Sequence, residues 1–152
     1  MRAGILSDTH GLLRPEVLER LAGCDHLLHA GDVGDASLLD RLGRIAPVTA
    51  IRGNTDPGTS AAHLPERAVL DLAGLPVRMI HRREDIPAEW LKAARLIVFG
   101  HTHRPEIEWR GETLLLNPGG CGARRFRLPL TVAVVTIVEG RIVPEILSVE
   151  PA

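Results

Sequence analysis

The sequence predicts an α/β protein in which two β-sheets pack face to face with helices on the outside. Two observations carry this reading. The first third of the chain alternates apolar runs with segments of helical periodicity, and the remainder pairs apolar runs about turn residues. Aromatic residues are only 3% of the chain, so the core between the sheets has to be built from Leu, Ile, Val and Ala.

The first strand is the apolar run Ala3 to Ser7, ended by Asp8-Thr9-His10-Gly11. Pro15 then sits where a helix starts, and Val17, Leu18 and Leu21 recur at helical spacing up to Gly23. A second strand, His26 to Ala30, stops at Gly31-Asp32, and a second helix carries Leu38, Leu39 and Leu42 on one face before Gly43. The third strand runs from Val48 to Arg52 and stops at Gly53-Asn54. This β-α-β-α-β rhythm implies a parallel sheet with right-handed crossovers. Beyond it, Ala68 to Ala73 and Pro76 to His81 read as a hairpin turning at Gly74-Leu75. A helix over Ala88 to Ala94 leads into a strand from Leu96 to Phe99, which ends at Gly100-His101-Thr102-His103. Glu106 to Arg110 with Glu112 to Leu116, and Thr131 to Val138 with Arg141 to Val149, complete two further hairpins about Gly111 and Glu139-Gly140.

At 152 residues the chain fits one domain, residues 1–152. Its 45% hydrophobic and 24% charged residues are ordinary for a soluble globular protein. A net charge of -1 gives no general pull toward nucleic acid or membrane, and the scarcity of aromatics disfavours long single-stranded nucleic acid. No segment reaches the ~18–20 apolar residues needed to span a bilayer. Met1 to Leu6 lacks the form of a signal peptide, and Cys24 reads as a small buried apolar residue in a reducing compartment. A cytoplasmic protein is expected.

Four strand ends carry metal-capable residues: Asp8-x-His10, Gly31-Asp32, Gly53-Asn54-x-Asp56 and Gly100-His101-x-His103. His81 ends a further strand. Ligands of open α/β sheets bind outside the carboxyl ends of the strands, and in three of the four clusters a glycine lets the backbone turn tightly beside the ligand. One Asp-x-His is ordinary turn chemistry, but four such clusters at successive strand ends are not. Two aspartates, one asparagine and four histidines are too many for one tetrahedral ion and suit a pair sharing a carboxylate. Mixed O and N donors suit divalent ions of the Mn²⁺, Fe, Zn²⁺ or Ni²⁺ type better than Ca²⁺ or Mg²⁺; two such ions are expected, Mn²⁺ first among them. His26, His29 and His63 fall outside the pattern and read as structural or surface residues.

This set resembles the calcineurin-like metallophosphoesterases, and within them the small bacterial and archaeal phosphodiesterase branch to which a retromer subunit is related. The likeness extends from Asp8 through Asn117-Pro118-Gly119. It implies a four-layer α-β-β-α sandwich, with Asp8, His10 and His103 on one ion, Asn54, His81 and His101 on the other, and Asp32 bridging. It further implies hydrolysis of a small phosphodiester through attack by a metal-activated hydroxide. Asp32, Asn54 and Asp56 form the expected catalytic group; Asn54 also touches substrate, and Asp56 either orients a neighbouring group or caps the turn before Pro57-Gly58.

Three departures from the family pattern matter. Thr55 stands where larger relatives carry a histidine that protonates the leaving group, which favours diesters with good leaving groups over demanding monoesters. Arg82 replaces a glycine after His81; it and Arg83 read as a solvated loop paired with Glu84 and Asp85 rather than as phosphate ligands. Gly120 stands where serine is common, and the following Arg124 and Arg125 are candidates to clamp a substrate phosphate. The alternatives are a non-catalytic interaction module, as in the retromer relative, or a nuclease for short oligonucleotides. All seven ligand positions keep a metal-capable side chain, which counts against the first. A homo-oligomer is left open.

Overall fold

The computed structural model describes residues 1–151. Three short strands, β1 (Arg2–Leu6), β2 (His26–His29) and β3 (Val48–Ala50), lie parallel, joined by α1 (Pro15–Leu21) and α2 (Ser37–Leu42). The carboxyl-terminal hairpin, β9 (Thr131–Val138) and β10 (Arg141–Ser148), adds antiparallel to β1. The first sheet therefore has the order β10-β9-β1-β2-β3.

The middle of the chain forms the second sheet. Its strands are β4 (Arg67–Leu72), β5 (Leu75–Ile80), β6 (Leu96–Val98), β7 (Glu106–Arg110) and β8 (Thr113–Asn117), in the order β4-β5-β6-β8-β7. The hairpins β4–β5 and β7–β8 are present, but β5, β6 and β8 run parallel to one another. The second half thus repeats the parallel core of the first instead of being a set of hairpins alone. Between β5 and β6 lie a 3-10 turn (Arg83–Asp85) and α3 (Trp90–Ala93). The helix is shorter than its sequence suggests because its entry is 3-10 in character, with the amides of Trp90, Leu91 and Lys92 bonded three residues back.

Buried side chains sort into three groups, which define four layers. Ile5, Leu28, Val77, Met79, Val98, Leu116 and Val135 fill the space between the sheets. Leu6, Leu27 and Val134 point the other way and meet Val17, Leu21, Leu38 and Leu42 of α1 and α2. On the far side Ile97, Phe99 and Leu115 meet Trp90 and Ala94. Central strands buried on both faces are apolar at successive positions, which is why Ala3–Leu6 of β1, Leu27 and Leu28 of β2 and all of β6 show no polar alternation. No helix among the described residues is long and apolar enough to cross a membrane.

Candidate metal centre

The carboxyl ends of β1, β2 and β3 in one sheet and of β5 and β6 in the other meet along one edge of the sandwich. Each strand ends a residue or two before its apolar run does, because the chain leaves the ladder to turn into this edge. Asp8, His10, Asp32, His101 and His103 all have φ between 47° and 74°, a conformation costly for residues with a Cβ. Tertiary bonds hold them there: Asp8 N–H donates to Gly31 O at 3.0 Å, His10 N–H to Asp32 O at 2.9 Å and Gly100 N–H to His81 O at 2.9 Å.

The ligand atoms fall into two groups, Asp8 with His10 and His103, and Asp32 with His81 and His101; within each, the nearest donor atoms lie within 4.8 Å of one another. His103 Nε2 is 3.4 Å from Asp8 Oδ1 and 3.3 Å from His10 Nε2. Asp32 Oδ2 lies between the groups, 3.2 Å from His81 Nε2 and 3.8 Å from His10 Nε2. Asn54 reaches the second group through its Oδ1, 3.0 Å from His101 Nδ1.

In Asp8, Asp32 and His81 the other polar atom of the side chain is already engaged. Asp8 Oδ2 accepts from Ser7 Oγ–H at 2.6 Å and His101 N–H at 3.0 Å. Asp32 Oδ1 accepts from Thr55 N–H at 2.9 Å. His81 Nδ1 is 2.7 Å from Ala30 O, which fixes its proton on that nitrogen and leaves the Nε2 lone pair facing inward. The contact of His81 with Asp32 lacks hydrogen-bond alignment. Asp8 Oδ1 and His81 Nε2 are consequently the buried side-chain polar atoms left without a hydrogen-bond partner among the described residues. An orphaned carboxylate oxygen and imidazole nitrogen, both buried and both facing the same edge, fit divalent cations.

Electrostatics agree with this chemistry. Burial opposes ionisation of Asp8, but the close approach of His103 and the charge of His81 outweigh it and hold the carboxyl below its usual range. Asp32 is lowered further, again against its burial, by contact with His81 and by the Thr55 amide. Burial pulls the His81 imidazole down, yet the carboxylates of Asp32 and Asp8 raise it overall. His101 is held down by burial and by the charges of His81 and Arg82.

Glycines admit these side chains. A Cβ on Gly31, whose φ is +103°, would lie 2.6 Å from His81 Nδ1, and one on Gly120 would lie 2.6 Å from His103 Nδ1. Gly120 therefore leaves room for an imidazole where serine would crowd it.

Several residues named from the sequence sit elsewhere. Asp56 is fully buried and does not enter the cluster. Its carboxylate accepts from the amides of Gly53 at 2.8 Å, Gly34 at 2.9 Å and Val33 at 3.2 Å, tying the loop after β3 to the loop after β2. Its oxygens are thus committed to loop backbone rather than to the donor cluster. Arg124 is engaged with Leu128 O and Glu150, while Arg125 is exposed on the same loop. Arg83 pairs with Glu106 and Glu108 of β7 at 2.9 and 2.8 Å, not with Glu84 or Asp85. Arg82 is extended (φ -105°), so no glycine is required at its position.

Two further residues support the site, one from the Asn117-Pro118-Gly119 run and one a histidine outside the ligand pattern. Asn117, buried at the end of β8, donates to Gly100 O and Thr102 Oγ1 and braces the loop bearing His101 and His103. His29 lies beneath the site, its Nε2 2.9 Å from Thr9 Oγ1 and its Nδ1 accepting from Gly31 N–H.

A four-layer sandwich with carboxylate and imidazole donors at the strand ends between its sheets defines a metal-dependent phosphoesterase. The chain belongs to the calcineurin-like phosphoesterase superfamily, whose domain matches residues 1–140. It is 30% identical to a protein of Methanocaldococcus jannaschii named as a probable metallophosphoesterase, over 99% of this chain and 82% of that one. It is 32% identical to the phosphodiesterase YfcE of Escherichia coli over 78% of each chain. The zinc complex of Vps29 from Entamoeba histolytica shares the fold with a TM-score of 0.74, at 20% identity and covering 99% of this chain and 100% of that one.

Proposed function

We propose that this hydrolase is a phosphodiesterase acting on small diesters at a dinuclear centre, with Mn²⁺ the preferred ion. The observation that carries this reading is the pair of adjacent donor groups with buried orphaned atoms, Asp8 Oδ1 and His81 Nε2, facing one another. Asp8, His10 and His103 would hold one ion and Asn54, His81 and His101 the other, with Asp32, whose Oδ2 lies between the two groups, available to both. Bound divalent ions supply Lewis acidity, lowering the pKa of water toward neutrality and neutralising charge on phosphoryl oxygens. The chain supplies the rest. Ala30 O fixes the His81 tautomer, Ser7 and the His101 amide orient Asp8, and the Thr55 amide orients Asp32. Asn54, exposed at the mouth, is placed to donate its amide to a substrate oxygen.

The exposed Thr55 side chain cannot give up a proton near neutral pH, so the leaving oxygen departs without help from this position. That favours diesters whose leaving group is a weak base. A cytoplasmic location is part of the same reading.

Mn²⁺-loaded protein is expected to hydrolyse bis(p-nitrophenyl) phosphate faster than p-nitrophenyl phosphate. Asp32→Asn should lose at least ~10²-fold in kcat/KM, on the scale of removing one preorganised charge-stabilising group. Absence of turnover with Mn²⁺, Fe²⁺, Zn²⁺ and Ni²⁺ alike would overturn the proposal and favour an interaction module.

A further inference from the structure

Beside Asn54 and His81 the metal edge opens into a cleft of about 510 Å³, bounded by the loop after β3 and the turn after β5. This is much more room than a phosphoryl group at the ions would need. Three arginines line it, Arg52, Arg67 and Arg82, together with the acidic Glu66 and Asp85. Their situations differ. Arg52 is bound to Glu66 at 3.0 Å and also reaches Ala62 O and Leu64 O. Arg67 lies over the ring of Trp90, 5.8 Å from its centroid. Arg82 is half-buried, directly follows a metal-facing histidine, and enters no ion pair among the described residues. Its neighbour Arg83 has two glutamates.

A half-buried arginine beside the centre, its fork of donors without a partner among the described residues, is matched to a phosphate rather than to protein. The backbone beneath it is fixed: Asp85 N–H donates to Arg82 O at 3.1 Å, closing the turn that presents the side chain. Arg124, the candidate clamp on the opposite loop, already binds Leu128 O and Glu150.

We infer that the cleft is a subsite for a second phosphoryl group of the substrate, and that Arg82 is the residue that selects for it. The substrate class is then a small phosphodiester bearing a terminal phosphate on the side of the scissile ester that lies over Asn54 and His81. This rests on the phosphodiesterase reading above, and its test separates the two. p-Nitrophenyl phosphodiesters of two-, three- and four-carbon diols are compared with the distal hydroxyl free or phosphorylated, on Mn²⁺-loaded protein. At the best chain length the distal phosphate should raise kcat/KM about tenfold or more through KM, the worth of one charge-assisted hydrogen-bonding group. Arg82→Gln should erase that gain and leave the free-hydroxyl series unchanged, and Arg82→Lys should restore part of it. No gain at any length, or a gain that survives Arg82→Gln, overturns the subsite.

Failure of the wild type on both series would sink the phosphodiesterase reading instead. A binding measurement judges the subsite in that case too. Calorimetric affinity for propane-1,3-diyl bisphosphate should fall about tenfold in Arg82→Gln, and equal affinity overturns the inference.

Discussion

Asp56 shows at the scale of one residue how this site is supported. It is a buried carboxylate whose oxygens take three backbone amides, from Gly53, Gly34 and Val33, and so it fixes the loops that carry Asn54 and Asp32 relative to each other. Removing it leaves buried donors unsatisfied. Asp56→Ala should lose about 3 kcal/mol of stability or more in urea unfolding, with weaker metal binding. Asp56→Asn retains one accepting oxygen and should fall in between. A variant of unchanged stability that lost only turnover would mean that Asp56 acts on substrate after all. His29 makes the complementary case. It is fully buried and neutral, its imidazole pushed down to about 4 by burial against the opposing charge of Asp8 and Asp56. The unfolded chain binds a proton near its ordinary value of 6.5, so stability is complete above that pH and is lost as pH falls from 6.5 toward 4. The loss is on the order of 3 kcal/mol. The Asp32 shift acts only below the usual aspartate range, and the raised His81 acts with opposite sign above pH 6.5, so neither explains a loss in this window. In metal-free protein, His29→Gln should flatten the slope between pH 6.5 and 4; an unaltered slope would assign it to other groups.

At the scale of elements, the weakest piece is α3. Four residues are too few to hold a helix by propensity, so α3 persists through packing. Trp90 supplies most of it, 7% exposed against Ile97, Phe99 and Leu115, with Arg67 across its face. Trp90→Ala should cost ~3–5 kcal/mol in thermal or denaturant unfolding. Because Phe99 precedes Gly100 and His101, that loss should also loosen the second donor group. A cost below about 1 kcal/mol would show that the outer layer is held by something else. The parallel strands β5, β6 and β8 explain why this layer exists: a parallel crossover needs a connection over the sheet face, and α3 is that connection.

At the scale of the whole molecule, the two sheets each bring a parallel core to the same edge. The first contributes Asp8, His10, Asp32 and Asn54; the second contributes His81, His101 and His103. Neither sheet alone assembles either donor group, since each draws on both sheets. Metal binding should therefore couple to the packing of the sheets across the layer of Ile5, Val77 and Val98.

The sequence by itself determined the donors and the architecture that carries them. Apolar runs that end abruptly in Asp, Asn and His mark a site at strand ends, because apolar periodicity and turn chemistry are local properties of the chain. Tertiary structure alone decided what those ends do to one another. That Asp8 Oδ1 and His81 Nε2 are left without partners depends on contacts between residues 73 positions apart in the chain (8 and 81). The bracing by Asn117, the loop tie made by Asp56 and the pairing of Arg83, not Arg82, with β7 are likewise long-range. Such contacts are set by strand order and register, which pattern does not encode residue by residue.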